Sequence, residues 1–175
     1  MAEKGLVIVH TGNGKGKTTA ALGLAMRAVG QGFRVTMVQF IKGSRRYGEL
    51  NTAEHLEGFD IRPAGRGFVN AGGRKPEPED VALARECFQA AREKVLSGRY
   101  DLVILDEVNY AVDYGLLPVE DVLELIRDKP ERVHLVLTGR NVRPEVVEAA
   151  DLVTEMRDVK HPYRNGIRAQ KGIEY

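Results

Sequence analysis

Lys17 and Thr18 close a glycine-rich run, Gly12-Asn13-Gly14-Lys15-Gly16-Lys17-Thr18-Thr19. Residues of these types at this spacing hold phosphate. Glycines let the backbone turn closely and aim successive N–H groups at an anion. The Lys17 ammonium is placed to reach terminal phosphates, and the Thr18 hydroxyl to hold Mg²⁺. The general pattern G-x-x-x-x-G-K-[ST] would put its first glycine at position 11. Thr11 stands there and Gly12 follows, so the loop departs slightly from the general form. A second pair of chemical groups, Asp106 and Glu107, ends the apolar run Leu102-Val103-Ile104-Leu105. Strand alternation sends these carboxylates to opposite sides and so to different jobs, one in a Mg²⁺ shell and one in local structure.

The elements around these residues follow from periodicity and punctuation. The run 6–9 is a buried strand that enters the loop, and the Ala-rich stretch 17–29 is a helix that leaves it. That order puts a helix N-terminus, with its partial positive charge, at the phosphates. A strand over 34–40 ends near Lys42, Arg45 and Arg46. For Lys42 this suggests a ligand contact, since open α/β sheets bind ligands at strand C-ends. For the two arginines, solvated loop charge is an equal reading. A short helix follows over 49–56, then a strand over 59–62 with Phe59 and Ile61 on one face. The glycine-rich stretch 63–74 carries Phe68 and reads either as a surface loop or as a loop covering a ligand.

Pro76 and Pro78 open a helix whose first turn holds Glu77, Glu79 and Asp80. Its inner face is Val81, Ala84, Phe88, Ala91 and Val95. The acid-tipped strand comes next and is expected beside the first strand. Helices over 108–114 and 119–127 lead to a strand over 133–137 that ends at Arg140, a further candidate phosphate contact. A short helix from Pro144 to Ala150 and a core strand over 152–156 follow. An edge hairpin with its turn at Asn165-Gly166 closes the pattern. Alternation of strands and helices predicts a single-domain α/β fold over 1–175. It is phosphate-loop NTPase-like (RecA-like), a mostly parallel sheet with helices on both faces.

Composition excludes several classes. The chain has 175 residues and a formal net charge of +1. That balance argues against a nucleic-acid polyelectrolyte or a membrane surface as partner. No run is apolar enough to span a bilayer, and 1–4 lead straight into the first strand, so the expected location is cytoplasmic. Cys87 is the only cysteine, which rules out an internal disulfide and a cysteine-based metal cluster. The four histidines are scattered, and His10 and His134 read as structural. Guanine specificity is disfavoured because no Asn-Lys-x-Asp segment occurs. Three reaction classes stay open at this point: a phosphotransferase, an ATP-hydrolysing switch or motor, and an enzyme that attacks ATP at the ribose carbon.

Longer stretches carry a resemblance. The loop 12–19, Val38-Gln39-Phe40-Ile41-Lys42-Gly43, Gly48-Glu49, Gly65-Arg66-Gly67-Phe68 and Leu105-Asp106-Glu107 resemble the phosphate-loop ATP:corrinoid adenosyltransferases. So do Leu137-Thr138-Gly139-Arg140, Val159-Lys160-His161 and Ala169-Gln170-Lys171-Gly172-Ile173-Glu174-Tyr175. That family's own loop has the shortened form seen here. The resemblance implies attack of Co(I) on the 5′ carbon of ATP, with inorganic triphosphate leaving. The corrinoid would be cobalamin or cob(I)yrinic acid a,c-diamide. It implies ATP bound in reverse, with Gly12, Asn13, Gly14, Lys15, Gly16, Lys17, Thr18 and Thr19 around the phosphates. By the same resemblance Glu107 and Thr18 hold Mg²⁺, or Mn²⁺ in its place, and Asp106 is a second candidate. Lys17 and Glu107 are thus the expected catalytic residues, and Lys42, Arg140 and Phe68 complete the binding set. Phe68 matches the first aromatic of a Phe-x-Trp pair that displaces the axial ligand of Co(II). The second position is Asn70, and the chain has no Trp. Phe68 then acts alone, another residue substitutes, or the corrinoid lacks a lower base. The resemblance also implies a homodimer and an external reductase, flavodoxin-like or flavin-dependent. The N-terminal extension of some relatives is missing from the sequence, so a more open corrinoid pocket is expected.

Overall fold

The computed structural model describes residues 4–41, 47–64 and 75–174. Six strands form one sheet in the order β3-β2-β4-β5-β1-β6, and every pairing is parallel. These are β1 (Val7–Thr11), β2 (Val35–Gln39), β3 (Phe59–Pro63), β4 (Leu102–Asp106), β5 (His134–Thr138) and β6 (Leu152–Glu155). Strands β1, β2 and β4 are buried throughout, as continuous β-branched runs require in a sheet covered on both faces.

Helix α1 (Lys17–Gly30) lies on one face, where Ala21, Ala25 and Ala28 meet Ile8, Met37, Ile104 and Val136. Phe59 and Ile61 pack on that same side, as their alternation predicts. Small alanines let the helix approach closely, which brings its N-terminus down to the strand ends. The short α2 (Gly48–Ala53) touches β3 at the sheet edge.

The opposite face carries α3 (Pro78–Leu96), α4 (Val108–Asp113), α5 (Val119–Asp128) and α6 (Pro144–Ala149). Ala84, Cys87, Phe88, Ala91 and Val95 of α3 cover Val38, Val103 and Leu105. Asp80 closes the start of α3 by accepting the Glu77 N–H at 2.9 Å. Cys87 is core, and burial, with the nearby Glu86 charge, pushes its thiol up to about 12, so it stays protonated.

Three sequence expectations change. β4 does not lie beside β1, because β5 separates them and pairs with both. β6 is an edge strand, not a core one: all four residues are exposed, with Leu152 at 44 % and Val153 at 39 %. α6 packs on α5, and among the described residues the β6 side chains stay exposed. The expected edge hairpin is a 3₁₀ turn, Pro162–Asn165, closed by Gly166 at φ 75°. Gly166 N–H donates to Tyr163 O and Ile167 N–H to Pro162 O, so the Asn-Gly pair ends a helical turn. Pro162 favours that outcome, since it fixes the first φ of the turn and gives no strand donor.

Candidate functional site

The C-terminal ends of β1, β4 and β5 meet the N-terminus of α1, and the loop 12–16 joins them. Gly16 caps α1 at φ 114°, a conformation that a side chain would strain. Behind the loop runs 155–157. A Cβ on Gly14 would lie 2.7 Å from the Arg157 carbonyl, so this close approach accepts only glycine. The Gly14 N–H donates to Met156 O at 2.7 Å.

Lys17 folds its ammonium over the loop and donates to Gly12 O and Gly14 O, both at 2.7 Å. Burial lowers it from its ordinary 10.5, and Arg140 pushes the same way, while Glu107 and Asp106 push back. Arg140, at the end of β5, thus lies within electrostatic reach of the loop, with its guanidinium 6.0 Å from the Tyr110 ring. Burial is also the main reason that the Tyr110 hydroxyl is pushed up to about 12.

Asp106 is fully buried and faces the α1 side. Its Oδ1 accepts from Thr18 Oγ1 at 2.9 Å and from Thr138 Oγ1 at 2.7 Å. Although β5 lies between β4 and β1, the carboxylate meets Thr18 directly, and Thr138 of β5 is a second donor to the same oxygen. Glu107 leaves the strand at φ 67° and caps α4. Its N–H donates to Thr138 Oγ1 at 2.8 Å. Asp106 sits on the Thr18 hydroxyl, whereas Glu107 has left the extended strand, so alternation along β4 does not set its direction. Thr18, Asp106 and Glu107 offer hard oxygen donors at a phosphate loop, the donor type that suits Mg²⁺ with substrate phosphates completing the shell. Among the described residues no three His, Cys, Asp or Glu side chains cluster as an all-protein cage.

Register explains what the sequence did not reveal. Gln39, Asp106, Thr138, His10 and Thr154 occupy one row across five strands. All but Thr154 are buried, directly under the loop side. Gln39 Nε2 lies 3.4 Å from both Asp106 Oδ2 and Glu49 Oε1. Thr138 and Gln39 are functional candidates that single-strand reading missed; only strand order aligns them with Asp106. Asn13 and Lys15 are exposed on the loop, and Thr19 is exposed in the first turn of α1. Lys42 and Phe68 lie outside the described residues.

Residues 3–175 match the family model of the ATP:corrinoid adenosyltransferases BtuR/CobO/CobP. The chain belongs to this family. As an ATP:corrinoid adenosyltransferase, it shares 42 % identity over 173 residues with the corrinoid adenosyltransferase of Escherichia coli (strain K12). That match covers 99 % of this chain and 87 % of the relative. A corrinoid adenosyltransferase of Sinorhizobium sp. is 42 % identical over 176 residues, covering 99 % of this chain and 81 % of the relative. The flagellar accessory protein FlaH of Methanocaldococcus jannaschii superposes with a TM-score of 0.57 at 15 % identity, over 87 % of this chain and 71 % of that one. This likeness speaks for the phosphate-loop NTPase-like fold alone. Among the described residues no helix is long and apolar enough to cross a membrane.

Proposed function

We propose that this ATP:corrinoid adenosyltransferase moves the 5′-deoxyadenosyl group of ATP to Co(I) of a corrinoid and releases inorganic triphosphate. The cobalt electron pair forms the Co–C bond. The C5′–O5′ bond breaks, and its electron pair leaves with the triphosphate oxygen. Charge builds on the leaving polyanion, so catalysis calls for donors fixed before the reaction starts. The observation that carries the reading is the joined set at the loop: Lys17 clamped on Gly12 and Gly14, and Thr18 tied to Asp106.

In this reading the loop N–H groups of 12–18 and the Lys17 ammonium receive the phosphates. Arg140 adds positive charge from the end of β5. Thr18, with Asp106 and Glu107 behind it, would hold Mg²⁺, which supplies further neutralisation of the leaving group when bound. Asp106 accepts from the Thr18 hydroxyl and so turns its lone pairs toward the ligand side. No water has to be activated, and no general base is assigned. Phe68 serves the corrinoid side. The working unit is a homodimer in the cytoplasm, and a flavodoxin-like or flavin-dependent reductase supplies Co(I).

Phosphorus NMR of an anaerobic mixture with chemically reduced cobalamin and ATP tests the reaction. Triphosphate formed in step with Co(I) loss supports it. ADP and phosphate, without Co(I) consumption, would replace it with an ATP-hydrolysing switch.

A further inference from the structure

The phosphate loop is braced by the far end of the sequence. Met156 donates its N–H to Thr11 O at 2.8 Å and accepts from Gly14 N–H. Beyond the 3₁₀ turn the chain comes back, and a turn forms in which Glu174 N–H donates to Gln170 O at 2.9 Å. This turn brings Glu174 Oε2 within 2.7 Å of Lys15 Nζ. The Glu174 side chain is only 19 % exposed, whereas its neighbour Ile173 is 78 % exposed. A turn that covers its carboxylate and leaves its isoleucine in solvent is docked by charge, not by apolar packing.

The two loop lysines are therefore anchored in opposite ways. Lys17 is held from inside the loop by two carbonyl oxygens. Lys15 is held from outside by a carboxylate and stays 47 % exposed. An ammonium has three donors, so one bond to Glu174 leaves two for an incoming anion. Fixing the long Lys15 side chain beforehand removes rotamer entropy that binding would otherwise have to overcome.

We infer that Glu174 is a positioning residue that holds Lys15 as a second phosphate-binding cation, making the C-terminal turn part of the triphosphate site. This rests on the loop being the triphosphate site. Its own content is that occupancy of the loop and docking of 170–174 are coupled.

The test uses inorganic triphosphate with Mg²⁺, measured by calorimetry on the full chain without corrinoid. Glu174→Gln is expected to weaken binding roughly fivefold with an unchanged melting temperature, and Glu174→Asp to recover part of it. Lys15→Gln should weaken binding as well. The double variant should then bind no more weakly than Lys15→Gln alone, because both changes remove one interaction. In steady state Glu174→Gln should raise KM for ATP by about the same factor, and Glu174→Asp should recover part of that rise. In the unaltered protein, triphosphate should increase hydrogen-exchange protection of 170–174. Wild-type affinity in Glu174→Gln, tighter binding, or additive losses in the double variant would overturn the inference and leave the loop reading intact. Failure of the unaltered protein to bind triphosphate would overturn both.

Discussion

Lys17 spends two of its donors on the loop's own carbonyls, at Gly12 and Gly14. It therefore shapes the loop, and in the proposed reaction it also neutralises the phosphates. Lys17→Ala should cut adenosyl transfer by about 100-fold or more, the scale for loss of one fixed donor to a developing anion. Melting temperature should barely move; retained transfer would remove the clamp role. Thr138 is the other pivot, since one hydroxyl donates to Asp106 and accepts from the Glu107 N–H. Thr138→Val takes the acceptor from the part-buried Glu107 N–H and one of several donors from Asp106, and should cost about 1–3 kcal/mol in urea unfolding. Thr138→Ser should restore it. His10 gives a pH dependence. It is buried, and its Nδ1 has no hydrogen-bond partner among the described residues. Burial holds it below its ordinary 6.5. Between the lowered value and 6.5 the unfolded chain takes up a proton that the folded chain refuses. Stability should therefore fall as pH falls through that window. His10→Asn should flatten this part of a melting curve series, and an unchanged slope would assign it elsewhere.

At the scale of elements, the order β4-β5-β1 decides how an acid meets a hydroxyl. The loop, its flanking strand and helix, and the acid-tipped strand were legible because each is local: glycine spacing, β-branched runs and an alanine face. Strand order is not local. Without it, Asp106 and Glu107 could not be ranked, and Gln39 and Thr138, visible only as members of family-like stretches, could not be aligned with Asp106. The hairpin expected at Asn165-Gly166 failed for a related reason. An Asn-Gly turn needs two pairing strands, and here Pro162 starts a helical turn instead. Close packing at the β5 end gives an element-level prediction. Gly139 has φ 135°, and a Cβ there would lie 2.8 Å from Asn109 Cβ and 2.9 Å from Tyr110 N. Gly139→Ala should push α4 away from β5 and cost about 1–3 kcal/mol. Urea unfolding and the crossing of the Asn109 region in hydrogen exchange check it; wild-type stability would mean that the contact relaxes freely.

For the whole molecule, a sheet covered on both faces leaves its C-terminal rim as the place where loop, acids and Arg140 converge. The family match over 3–175 makes the chain a corrinoid adenosyltransferase, and we propose that this rim carries the transfer. The uncovered flank is equally informative. Val147, Leu152, Val153, Val159, Tyr163, Ile167 and Ile173 are all exposed and belong to the last part of the chain. That same part braces the phosphate loop through Met156 and Glu174. Chemistry and the least covered apolar surface are thus neighbours in the fold, a relation that composition cannot reveal. In the proposed reaction the 5′ carbon of ATP, and no phosphorus atom, is the atom attacked. ATP carrying an isotopic label at that carbon, mixed anaerobically with cob(I)alamin and the protein, tests it in one spectrum. The expected result is a labelled carbon bonded to cobalt, lost on exposure to light. A label that stays in ADP, with free phosphate accumulating, would contradict it.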